Sequence, residues 1–72
     1  NPVSDKLYMN FPFGSERFTV SVFDTNGRLL QKQNGMTSEL VSVDVSRLAD
    51  GLYLLEAVTD RGESKIQRFL KQ

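Results

Sequence analysis

Apolar and polar residues alternate one by one along almost the whole chain, with breaks where Gly, Asn, Asp or Pro cluster. A period of two sends successive side chains to opposite faces of an extended strand and leaves no amphipathic stripe for a helix. Arg17 to Asp24 is the cleanest case, with Phe18, Val20 and Val22 on one face and Arg17, Thr19 and Ser21 on the other. Lys6 to Phe11 puts Leu7, Met9 and Phe11 together, and Glu39 to Val45 does the same for Val41, Val43 and Val45. In Leu52 to Thr59, one face carries Tyr53, Leu55 and Ala57. The other carries Leu52, Leu54 and Val58 with the single charge of Glu56, which is too apolar for a fully solvated face. Ser64 to Leu70 is ambiguous, because Ile66 and Leu70 share a phase that Phe69 does not. A bulge, or burial on both sides, would reconcile them.

The breaks carry turn chemistry. Asp24-Thr25-Asn26-Gly27 predicts a hairpin turn, since Asn and Gly accept turn backbone that other residues resist. Asn34-Gly35 repeats the signal and predicts a second turn after a return strand over Arg28 to Gln33. Asp60-Arg61-Gly62 predicts a third. Ser46 to Ala49 has room for one turn of helix. Gly51 directly follows Asp50 and opens a strand, which predicts positive φ there. Short alternating runs at intervals of about ten residues predict an all-β fold, a small Ig-like antiparallel β-sandwich of six to seven strands. The shared phase predicts a core of Phe18, Val20, Val22, Val43, Tyr53, Leu55 and Ala57.

The 72 residues read as one domain spanning 1–72. A chain this short buries only about 60% of its unfolded surface, so its core is thin. There is no cysteine and no histidine. Ser-His and Cys-His nucleophile pairs are therefore impossible, as are thiolate metal sites and disulfides. Nine basic and nine acidic residues cancel, which argues against nucleic acid or an anionic bilayer as a partner. No apolar run approaches the roughly 20 residues of a membrane span. Asp24, Asp44, Asp50, Glu56 and Asp60 sit at turns or on solvent-facing strand positions, where carboxylates are ordinarily solvated rather than paired for acid–base work. Asp24-x-Asn26-Gly27 echoes the start of a calcium loop but lacks its later oxygen ligands. Tyr8, Phe11, Phe13 and Phe23 are the aromatics that a sugar-binding face would need, although such residues more often pack beneath loops. The expectation is a non-catalytic domain with no cofactor and no metal.

One cluster remains. Arg61, Lys65, Arg68 and Lys71 cluster near the C-terminal end, with Phe69 and Leu70 among them. This is either a solvated basic strand or a strip read by a protein partner.

The ordered set of motifs resembles the C-terminal sorting domain of cargo proteins of the type IX secretion system. Asn1-Pro2 stands where that family has a Pro-Asn-Pro-like opening. Asp24, Gly27, Arg28, Leu29 and Leu30 match its aspartate-led turn, and Val43, Asp44, Val45, Ser46 and Leu48 match its valine-rich strand. Gly51, Leu52 and Tyr53 match its Gly-x-Tyr strand, and Lys65, Phe69, Leu70 and Lys71 match its final basic, aliphatic strand. Gln67-Arg68 departs from the Lys pair common there. The resemblance implies a sandwich fused to a larger secreted cargo, of which this chain is the terminal piece. The outer-membrane secretion machinery would recognise it and a surface sortase would cleave it. It would pass through the periplasm to the cell surface or beyond, as a monomer not inserted in the membrane. Gly27, Arg28, Leu48, Gly51 and Tyr53 would be structural motif residues, and Lys65, Arg68, Phe69, Leu70 and Lys71 the recognition candidates. The competing readings are a spacer or stabilising sandwich and a carbohydrate-binding module of a secreted enzyme.

Overall fold

The computed structural model describes residues 4–10, 17–36 and 40–72. They hold six strands: β1 Lys6–Asn10, β2 Arg17–Phe23, β3 Leu29–Met36, β4 Leu40–Asp44, β5 Gly51–Thr59 and β6 Ser64–Lys71. The strands make two antiparallel sheets, a pair β1–β4 and a four-stranded sheet in the order β3–β2–β5–β6. The chain is all-β, a small sandwich, and no helix occurs among the described residues. Phe11 and Phe13 lie outside them.

The alternation decides which face closes on the core. All seven predicted core residues are buried, and Leu7, Met9, Val45 and Phe69 complete a single cluster drawn from both sheets. Leu30 and Leu48 pack against its margin. Burial follows the pleat in β2 and β5 without a break. It also follows the pleat in β6, where the pairing with β5 runs in unbroken register from Gly51↔Lys71 to Val58↔Ser64. The strand therefore needs no bulge to place Phe69. Phe69 and Lys71 face inward, and Ile66, Arg68 and Leu70 face outward.

Two hairpins build the large sheet, and their turns follow one scheme. In the β2–β3 turn the Asp24 amide donates to the Arg28 carbonyl at 3.1 Å and the Gly27 amide to the Asp24 carbonyl at 3.0 Å. In the β5–β6 turn the Thr59 amide donates to the Glu63 carbonyl at 2.8 Å and the Gly62 amide to the Thr59 carbonyl at 3.0 Å. Gly27 and Gly62 both adopt positive φ, 84° and 88°. Each is the left-handed residue that ends a three-residue hairpin loop.

The Asn34-Gly35 turn does not form. Both residues lie inside β3, which runs on to Met36 and pairs Phe18↔Gly35 and Thr19↔Asn34. Two contacts explain the difference. A Cβ on Gly35 would lie 3.0 Å from Cζ of Phe18, so the missing side chain makes room for that ring. The Asn34 carboxamide oxygen accepts the Thr19 hydroxyl proton at 2.8 Å, which satisfies it across the strands rather than in a turn. An aromatic laid over a cross-strand glycine is a sheet device, and it outweighs the local turn preference.

β3 and β4 are not paired by backbone. Gln31 and Gln33 instead donate from Nε2 to the carbonyls of Asp44 and Ser42, at 2.8 and 3.2 Å. Side-chain amides thus lace one margin of the sandwich.

Candidate recognition surface

The motif residues gather at the end of the molecule where β5 begins. After β4, the Asp44 carboxylate accepts the Ser46 hydroxyl proton at 2.7 Å and the Ser46 amide at 2.9 Å. Those bonds, the hydroxyl first, hold its pKa below the ordinary carboxylate value. The Leu48 amide closes a turn on the Val45 carbonyl at 3.0 Å. Gly51 then enters β5 at φ 154°, positive as the Asp-Gly step predicts. Two residues on, the Tyr53 ring is buried, and its hydroxyl donates to the Ala49 carbonyl at 2.5 Å. The tyrosine therefore ties the loop to the strand that follows it. Its ring stacks on Phe69, with centroids 5.5 Å apart and planes at 25°. Leu48, Gly51 and Tyr53 thus form one connected structural unit with the last strand.

At the β2–β3 turn the Asp24 carboxylate takes three bonds. Oδ1 accepts the amides of Asn26 and Arg28, each at 2.9 Å, and Oδ2 meets Nε of Arg28 at 3.2 Å. The Arg28 amide contributes most to holding the Asp24 pKa below its ordinary value. The Arg28 side chain is 77% exposed despite this anchor. The guanidinium has five donor hydrogens, so the contact at Nε leaves it further donors.

The five recognition candidates divide by pleat. Arg68 and Leu70 are exposed on the outer face of the large sheet. Lys65 faces inward and is half-buried. Phe69 belongs to the core, and Lys71 is only 8% exposed, against the expectation that the whole strip lies open to a partner. Lys71 pairs with Gly51, and the space a Cβ on Gly51 would take is bounded by the Tyr53 ring. The Lys71 nitrogen is not stranded, because no buried side-chain nitrogen or oxygen lacks a hydrogen bond among the described residues.

The same outer face carries residues that the C-terminal motif does not mark. Registers across all four strands resolve it into rungs. One rung is Asn34–Thr19–Val58–Ser64 and is uncharged. The next is Lys32–Ser21–Glu56–Ile66, with one charge of each sign. The third is Leu29–Phe23–Leu54–Arg68, and beyond it β5 and β6 add Leu52–Leu70. The exposed large apolar residues concentrate at this last end: Leu29, Leu52 and Leu70, with Ile66 at 64% beside them. A break of register between Val22 and Phe23 brings Leu29 opposite Phe23 and lets Leu30 turn to the core. The sequence signal for this surface was the over-apolar second face of β5. Leu29 was hidden because a bulge reverses the pleat there. A shallow groove at the opposite, polar end is lined by Arg17, Thr19, Asn34 and Asp60 among others, and none of the recognition candidates line it.

No group of three or more His, Cys, Asp or Glu side chains is placed to hold a metal among the described residues. The family described as the secretion system C-terminal sorting domain matches residues 1–72, the whole chain. No curated protein and no solved structure gives a match.

Proposed function

Because this chain belongs to the secretion system C-terminal sorting domain family, we propose that it acts as the signal by which the type IX machinery exports a covalently attached cargo, and that β6 is the element read. The family match along the full length carries this reading. Export across the outer membrane and a fused cargo follow from it. The finer steps belong to the proposal: the domain passes the periplasm as a folded unit, is bound at the outer membrane and is cut from its cargo by a surface sortase.

The fold supports a role for β6. It is an outermost strand of the large sheet, and an edge strand presents backbone donors and acceptors to a partner strand. Arg68 gives that edge an exposed positive charge. Basic side chains also discourage two such edges from pairing with each other.

The test is a reporter fused to this domain in a type IX-competent host, with surface and periplasmic fractions assayed against a reporter lacking it. Surface delivery that requires the domain supports the reading. A domain-bearing reporter left in the periplasm overturns it and leaves a spacer. Trimming the C-terminus is a poor probe, since removing Phe69 takes a ring out of the core. Outward-facing substitutions are the cleaner tool.

A further inference from the structure

The geometry points to the apolar end of the large sheet's outer face as the surface that holds this signal to its receptor. The occupant would be a protein segment with an apolar centre and a carboxylate towards each end. This deepens the sorting reading and rests on it.

Three observations carry the inference. First, Leu29, Phe23 and Leu54 make a continuous apolar row over β3, β2 and β5, extended by the cross-strand pair Leu52–Leu70. Leu29, Leu52 and Leu70 are 50%, 47% and 39% exposed, so the row is open to solvent. Contiguous exposed apolar surface rimmed by polar groups marks an interaction site.

Second, the row is bracketed by two arginines. Arg68 ends it on β6. Arg28 precedes Leu29 at the hairpin turn, its Nε fixed on Asp24 at 3.2 Å. A guanidinium so held loses less freedom when its terminal nitrogens meet a carboxylate, which makes it a pre-organised donor. Asp24 is already occupied by Arg28 and two amides. The Arg28–Asp24 pair is neutral as a unit, and Arg68 adds a positive charge whose cross-strand partner is Leu54.

Third, the opposite end of the same face is different. Its rungs are polar rather than apolar: Lys32 and Glu56 balance, and Arg17 stands beside Asp60, whose amide donates to the Arg17 carbonyl at 3.2 Å. The asymmetry selects one end rather than the sheet as a whole. It also sets the occupant. A second copy would bring arginines against arginines, whereas a segment with carboxylates flanking apolar side chains matches both features. Arginine beside well-packed aliphatic and aromatic residues is also the composition of interface hot spots.

The experiment uses the same reporter fusion in four forms: unaltered, Arg68→Glu, Leu52→Ser/Leu70→Ser, and Lys32→Glu as the control on the balanced rung. Circular dichroism and melting of each isolated domain confirm that the fold is kept. Arg68→Glu and the double leucine variant are expected to lower the surface-to-periplasm ratio about tenfold, the loss typical of one hot-spot side chain. Lys32→Glu is expected to leave it unchanged. Folded variants that export as well as the unaltered domain overturn the surface while leaving the sorting role standing. An equal loss with Lys32→Glu also overturns it, because the effect would then be one of charge in general. An unaltered domain that fails to direct export overturns the sorting reading itself. Sedimentation of the isolated domain, alone and with phosphatidylglycerol vesicles, tests the other occupants. Self-association or vesicle binding that Arg68→Glu abolishes overturns the protein segment as the occupant.

Discussion

The β2–β3 and β5–β6 turns share one backbone scheme and differ in the atom that locks it. In the first, the Arg28 amide is accepted by the Asp24 carboxylate at 2.9 Å; in the second, the Glu63 amide is accepted by the Thr59 hydroxyl at 3.1 Å. The carboxylate is charged, carries an ion pair and is 19% exposed. The hydroxyl is neutral, and Thr59 is buried. Identical geometry can thus be reached with an acceptor that titrates or with one that does not. Turn geometry and turn chemistry are set separately. The arms differ as well: β2–β3 contains a register break and is pinned by polar contacts, whereas β5–β6 is unbroken and anchored by the Tyr53–Phe69 stack.

The largest expected effect falls on an arm rather than on a turn. Tyr53→Ala should lower stability by about 3–5 kcal/mol, as truncating a buried aromatic does. It removes the ring that meets Phe69 and the bond that holds the Ala49 loop. A denaturant midpoint close to that of the unaltered domain would show that β5–β6 does not rest on its aromatic pair.

Next come the two turn glycines. Nothing lies within 4 Å of a Cβ built on either Gly27 or Gly62, so alanine meets backbone strain alone, about 1–2 kcal/mol at a left-handed position. The two variants should lose equal amounts. A clear inequality in chemical denaturation would mean that the turns are not equivalent in backbone.

The locking atoms come third. Thr59→Val keeps the shape and removes the acceptor, and should cost about 1 kcal/mol. Asp24→Asn should lower the melting midpoint at neutral pH, since the ion pair and the charge-assisted bonds weaken together.

The smallest effect is the most discriminating, and it is a pH dependence. The folded-state pKa of Asp24 is lowered, chiefly by the Arg28 amide. A lowered folded pKa adds stability that is complete above the ordinary carboxylate range and is lost as pH falls through the lowered value. The advantage of the unaltered domain over Asp24→Asn should therefore be flat at neutral pH and vanish in acid. The corresponding advantage over Thr59→Val should not follow that curve. Melting midpoints measured down the acid limb check both, and parallel curves would dissolve the distinction.

Much of this architecture was legible in period and turn chemistry. Where both strand partners are regular, as for Phe18, Val20 and Val22 or Tyr53, Leu55 and Ala57, alternation predicts burial residue by residue. Gly51 was legible for a similar reason, because Asp-Gly before a strand has few other conformations to take. Asn34-Gly35 misleads because its outcome depends on Phe18 and Thr19, which are neighbours only once β2 and β3 pair. β6 was ambiguous because Ile66 and Leu70 are apolar yet face outward while Lys71 faces inward. An inward-facing lysine is not visible in an apolar–polar pattern. The proposed recognition surface was half legible. Arg68 and Leu70 stand in the C-terminal motif, whereas Leu52 and Leu54 join them only through the β5–β6 register, and Leu29 through a bulge.

The glutamine lacing between β3 and β4 has a consequence for how this sandwich can vary. A backbone ladder fixes the register of two strands in whole steps, so a residue gained or lost beside it turns every side chain over. Gln31 and Gln33 reach the Asp44 and Ser42 carbonyls through flexible arms instead. Such arms can shift to a neighbouring carbonyl without moving either strand. The alignment of β3 against β4 is thus released from counting in whole steps, and a small slip between them should be absorbed with both sheets intact.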